Sequence, residues 1–150
     1  MKRAFFILLI LLSFLLETKV SLFGIMPNFL VLPVYYYGLK RGGAKGLLFG
    51  AFMGAAVDTL YGNMLGPNIL SKGAAGFLSH SIKMRFFRWT PFLGMLGAFL
   101  ITAIDGYTAY ASLSIFDAPP TAFSRAFFII SAQAILNSVA GLILRPKDED

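Results

Sequence analysis

Asp58, Lys72 and Asp105 stand inside stretches that are otherwise apolar. Ionisable groups in such surroundings are costly, and they mark either a functional site or a buried pair. Two aspartates on two apolar segments could suggest an intramembrane aspartyl protease, which carries a Gly-x-Gly-Asp signature. Ala55 and Val57 precede Asp58, and Thr102 and Ile104 precede Asp105, so the signature fails at both. Serine chemistry needs a serine and a histidine that can meet. The single histidine, His80, has Ser79 and Ser81 as neighbours, which face away from it, and no Gly-x-Ser-x-Gly occurs. His80 lies about one turn from Lys83, as an interfacial histidine does. There is no cysteine, hence no thiol nucleophile or thiolate metal site. No cluster has metal-ligand spacing, and no phosphate-cradling Gly-Lys-Ser/Thr is present. The sequence therefore predicts neither catalysis nor a cofactor.

A structural use of the same residues is the simpler expectation. Asp58 and Lys72 are each seven residues from Leu65, which sits in a turn. An antiparallel hairpin brings them to similar depth, and the spacing predicts an Asp58–Lys72 ion pair. The competing arrangement has Asp58 meeting Asn68 or Tyr61 while Lys72 snorkels to the headgroups. Gln133 and Asn137 are one turn apart on a face shared with Gly141, a pattern for interhelical hydrogen bonding or contact with a small molecule.

The elements that must hold these groups are apolar helices. Hydrophobic residues make up 57% of the 150 and charged ones only 13%, about half the share in soluble domains. No soluble core of this length could hide that surface, so one integral membrane domain is expected. Glycine recurs every fourth residue at 42, 46, 50, 54, 62 and 66, and position 58 of that ladder is the aspartate. Each interior glycine costs roughly 1 kcal/mol in a water-exposed helix. In a bilayer the helix forms regardless, because the backbone must satisfy itself. A face without side chains then lets another backbone approach, so Gly46, Gly50, Gly54, Gly62 and Gly66 are expected to pack helices.

Hydropathy and breakers divide the chain into six helices, at about 4–23, 27–39, 44–61, 67–83, 91–116 and 121–144. The first begins like a signal peptide, but no A-x-A site follows, and it is expected to be retained, with Glu17 and Lys19 reaching headgroups. The second is short and carries Tyr35-Tyr36-Tyr37 before Lys40, which reads as an interfacial aromatic belt. Turns are expected at 62–66 and at Asp117-Ala118-Pro119-Pro120. Basic residues cluster at the N-terminus (Lys2, Arg3), between the second and third helices (Lys40, Arg41, Lys45), after the fourth (Lys83, Arg85, Arg88) and at the C-terminus (Arg145, Lys147). All of these fall on one side of a six-span layout, which puts both termini in the cytoplasm. The net charge of +6 thus sets orientation, and nucleic acid is not an expected partner.

Pro27-Asn28 opens a short helix that ends in tyrosines; Gly46, Gly50, Gly54 and Asp58 follow, then Tyr61-Gly62 and Leu65-Gly66 before a small-residue helix. In these features the segment from Pro27 onward resembles the rod shape-determining MreD family. The run Gly-x3-Gly-x3-Asp-x6-Leu-Gly from Gly50 is the most specific part. These motifs cover about residues 27–76, and the rest matches in order and hydropathy. The resemblance implies a non-enzymatic scaffold of the bacterial cell-elongation and peptidoglycan-synthesis machinery in the inner membrane. Its implied partners are MreC, a single-pass protein, the MreB cytoskeleton, and the RodA glycosyltransferase with its transpeptidase. Members also look like the six-helix S-components of energy-coupling-factor vitamin transporters, which supply the alternative function. S-components use an Ala-x-x-x-Ala seam on their first helix, and Phe5–Leu16 here is bulky apart from Ser13.

Overall fold

The computed structural model describes residues 2–19, 27–60, 64–85, 90–116 and 121–144. These form six helices: α1 (Lys2–Lys19), α2 (Val31–Arg41), α3 (Gly43–Leu60), α4 (Pro67–Arg85), α5 (Pro91–Ile115) and α6 (Phe123–Gly141). No strand occurs among the described residues. The expected end of the first helix, residues 62–63 of the next expected turn, and the turn at 117–120 lie outside them.

Local chemistry explains most of the boundaries. Pro67 and Pro91 each occupy the first position of a helix, where a missing N–H costs nothing. Thr90 caps α5, its Oγ1 accepting from the Leu93 amide at 3.2 Å. The expected start of the second helix at Pro27 is corrected to Val31. Starting at 27 would place Pro33 in the helix interior, where it breaks a hydrogen bond and clashes with the preceding turn. Starting at 31 puts Pro33 in the first turn, where its missing donor is harmless. Residues 27–30 are left free for other bonds.

The short α2, 11 residues long, is the hub. It packs against every other helix, α3 and α4 most extensively. Val31, Leu32, Val34, Tyr35 and Leu39 are all buried on it. The expected aromatic belt is therefore only partly one. Tyr35 is wholly buried, and its hydroxyl donates to the Gly94 carbonyl on α5 at 3.3 Å. A Cβ at Gly97 would collide with that hydroxyl, so the small residues of α5 make room for the ring. Tyr37 stacks on Phe49 with centroids 4.5 Å apart, and Tyr36 lies under Lys40 Nζ at 5.4 Å from its centroid. Those two rings are half-buried, as residues near an interface are.

The distribution of polarity runs opposite to that of a protein folded in water. Leu8, Leu15, Leu48, Phe52, Phe92 and Phe128 point outward, while Asp58, Lys72, Asp105 and Asn137 are buried. An apolar solvent makes that arrangement favourable, since outward aliphatics cost nothing there and inward polar groups find one another. Among the described residues, two helices, Pro91–Ile115 and Phe123–Gly141, are long and apolar enough to cross a membrane by length and hydropathy.

Candidate functional site

The tightest packing in the fold joins α3 to α4, and it begins with the glycine ladder. A Cβ at Gly46, Gly50 or Gly54 would fall far inside contact distance of the backbone carbonyl of Gly76, Lys72 or Asn68 respectively. Three successive rungs thus lie flat on the backbone of α4, and Gly76 returns the contact against the Gly46 carbonyl. Gly66 differs from the packing expected of it. Nothing lies within 4 Å of where its Cβ would be, and its φ of 137° is a conformation that favours glycine. Its role is the turn into α4. Gly62 lies outside the described residues.

This close approach delivers Asp58 to the start of α4. Its carboxylate accepts from the backbone amides of Gly66 (2.9 Å), Asn68 (3.3 Å) and Ile69 (3.3 Å), and from Asn68 Nδ2 (2.8 Å). Gly66 has no side chain with which to cap the helix, so Asp58 caps it from the neighbouring helix. The orphan N–H groups and the positive end of the α4 dipole both favour an anion there.

The expected Asp58–Lys72 ion pair is therefore not made. Among the described residues, Lys72 pairs with Asp105 of α5, Nζ to Oδ2 at 3.0 Å, with both side chains almost wholly buried. The physical reason is competition. Asp58 is already satisfied by four donors that cost no desolvated cation, and α5 supplies a second carboxylate at the depth of the ammonium. Asn68 connects the two systems, donating to Asp58 and accepting from Lys72 Nζ at 3.4 Å through its Oδ1.

Asn28, in the stretch before α2, ties the rest together. Its Nδ2 donates to Asp105 Oδ2 at 2.6 Å, its Oδ1 accepts from Lys72 at 3.3 Å, and its backbone carbonyl accepts from Asn137 Nδ2 of α6 at 2.8 Å. Asn137 Nδ2 also donates to Thr102 Oγ1 at 3.2 Å. From α1, Glu17 accepts from the Leu30 amide at 3.1 Å and lies within electrostatic reach of Lys72 and Asp105. Glu17 thus turns inward, contrary to the expectation that it reaches headgroups. One polar core draws on five helices and the stretch before α2.

The sequence reading singled out Asp58, Asn68, Lys72, Asp105 and Asn137, and all five belong to this core. Gln133 lines a cleft of about 440 Å³ between α5 and α6, with Asn28, Tyr110 and Arg125. Asn28, Thr102 and Glu17 were missed as members. The available signal for Asn28 was its position, a polar amide between a proline and an apolar run. His80 stands apart from the core, on the far half of α4.

In chemical terms the core holds carboxylates against an ammonium and amides. No group of three or more histidines, cysteines or acidic residues is placed to hold a metal ion among the described residues. Comparison with known proteins gives one answer. No curated protein and no solved structure matches the chain. The family model described as rod shape-determining protein MreD matches residues 1–146, nearly the whole chain. The chain belongs to the MreD family of rod shape-determining membrane proteins.

Proposed function

We propose that this chain is a non-catalytic, six-span scaffold of the cell-elongation complex, set in the bacterial inner membrane with both termini in the cytoplasm. Its involvement in rod-shape determination follows from its family. The scaffold role is supported by how the buried charges are used. Asp58, Lys72 and Asp105 are engaged with each other's networks and with backbone amides, and they fix α3, α4 and α5 in one arrangement. A rigid body with an apolar exterior suits an MreC-like single-pass helix, and through it MreB, RodA and the transpeptidase. Depleting the protein from a rod-shaped host is expected to give rounding and lysis, and purification from native membranes to bring down the MreC-like protein. Depletion that leaves shape intact would overturn this reading.

One observation favours a second reading, small-molecule capture in the manner of an S-component. The α5–α6 cleft has a volume in the range of ligand sites, with Asn28 and Gln133 among its polar lining. A vitamin requirement on depletion, with co-purification of ATPase subunits in place of MreC, would support that reading.

The orientation has its own test, made clean by the absence of native cysteine. Lys45 follows the second helix and Met64 precedes the fourth, and both are exposed. Met64→Cys is expected to react with a membrane-impermeant maleimide in intact spheroplasts, and Lys45→Cys only after permeabilisation. The reverse pattern would invert the layout.

A further inference from the structure

His80 and Arg85 near the C-terminal end of α4 line a groove of about 680 Å³ that the polar core does not use. Leu78 and Ile82 of α4 and Leu100 and Ile104 of α5 form its apolar walls. The groove is open along the outer face, where Leu100 is exposed. His80 lines the groove with one side of its ring: Nδ1 is enclosed by protein with no hydrogen-bond partner among the described residues, which leaves Nε2 as the ring nitrogen a ligand can reach. Between aliphatic walls, Nε2 is favoured by a polar partner lying in the groove. Arg85 is exposed, and its guanidinium offers several N–H donors in a fork that fits phosphate oxygens.

The walls specify the remainder of the ligand. Ile104 lies 13 residues into α5 from Pro91, or about 20 Å along the helix axis. On the membrane-spanning reading, which this inference needs, the groove runs from headgroup level at Arg85 to roughly the middle of the hydrocarbon core, about 15 Å in. A free anion would leave that apolar length empty. A partner's apolar helix would leave the cation and the imidazole unanswered. A molecule with a phosphodiester at one end and an alkyl chain at the other answers both.

We propose that the α4–α5 groove binds an anionic phospholipid, its phosphate between Arg85 and His80 and one acyl chain along Leu78, Leu100 and Ile104. Arg85 supplies charge and paired donors. His80 donates its Nε2–H to a phosphate oxygen. The chain fills the aliphatic walls in place of loose bilayer lipid.

The test uses the full-length chain, purified and delipidated in detergent, with lipid retention read by native mass spectrometry. Phosphatidylglycerol is expected to be retained about tenfold better than phosphatidylcholine, since charge-assisted bonds to phosphate act together with the net charge of the headgroup. Arg85→Gln and His80→Phe are each expected to reduce phosphatidylglycerol retention by about fivefold or more. Leu100→Trp, which fills the groove without touching a charge, should remove both lipids. Lys45→Gln, at an exposed basic residue of α3 outside the groove, should change nothing. If Arg85→Gln fails to fold, His80→Phe and Leu100→Trp decide alone. Equal retention of the two lipids, or unchanged retention in His80→Phe, overturns the proposal and leaves the groove as an apolar face for a partner helix. Inorganic phosphate displacing the lipid at equal concentration also overturns it, in favour of a free-anion site. These outcomes concern a folded protein in detergent, so they are separable from failure of the topology, which maleimide labelling reads.

Discussion

Lys72→Met is expected to destabilise the fold by about 3–5 kcal/mol, the range for removing one partner of a buried ion pair. Methionine fills a similar volume, so the loss is electrostatic and not a cavity. Asp105 would keep a single donor to Oδ2, from Asn28, while its Oδ1 already has no partner. A loss of that size is a large share of the roughly 5–15 kcal/mol that holds a typical domain together. The readout is thermal unfolding of detergent-purified protein, followed by size-exclusion profile. Adding Asp105→Leu to Lys72→Met should recover more than half of the loss, because replacing both partners removes the buried charge altogether. Adding Asp58→Leu should deepen it, because Asp58 caps α4 and is not the partner of Lys72. Rescue by Asp58→Leu and not by Asp105→Leu would return the pairing to the one expected from the hairpin. A Lys72→Met protein as stable as the parent would show that the pair carries no stability.

Gly50→Ala is expected to be nearly as damaging, although it adds a single carbon. The new Cβ would meet the Lys72 carbonyl and the Gly73 amide, which are backbone and cannot rotate aside. Overpacking of this kind costs about 1–3 kcal/mol, and more where the backbone itself must move. Here α4 would shift as a unit and carry Lys72 away from Asp105, so the effect should exceed that range. Gly73→Ala is the control on the facing helix. Its Cβ would sit 3.7 Å from Ala51 Cβ, which is ordinary contact. That change should be neutral or stabilising by up to about 1 kcal/mol through helix propensity. Equal unfolding temperatures for the two variants would mean that the seam is looser than its geometry.

What could be read beforehand and what could not have separate physical origins. Proline, glycine and hydropathy are local signals, and they put the last four helices within about three residues of their observed ends. The ladder was legible because four-residue spacing has one meaning in a lipid-facing helix, a close approach of backbones. Lys72's partner was not legible. Hairpin symmetry gives relative depth for α3 and α4 only, and nothing in the chain says how deep Asp105 lies on a helix joined by a separate loop. Asp58 was paired with Lys72 because three of its four donors are backbone amides, which no sequence displays; the fourth, Asn68 Nδ2, belongs to the competing arrangement. Asn28 was quoted only as part of a family motif. Its side chain and carbonyl serve three helices at once, and that follows only from where α2 begins, which Pro33 decides.

The hub position of α2 has a consequence for how the protein is made. Ribosomes deliver α2 before any of α3 to α6, the helices that bury most of its surface. At 11 residues it is about 16 Å long, too short to settle across the bilayer alone. Lys72 likewise emerges 33 residues ahead of Asp105, a wait of about 2–7 s at ordinary bacterial synthesis rates. During that interval Asn28 and Asn68 are the amides already present to hold the ammonium. The order of synthesis therefore leaves the most interior helix waiting on the later ones, and its final burial is completed only after α6 arrives.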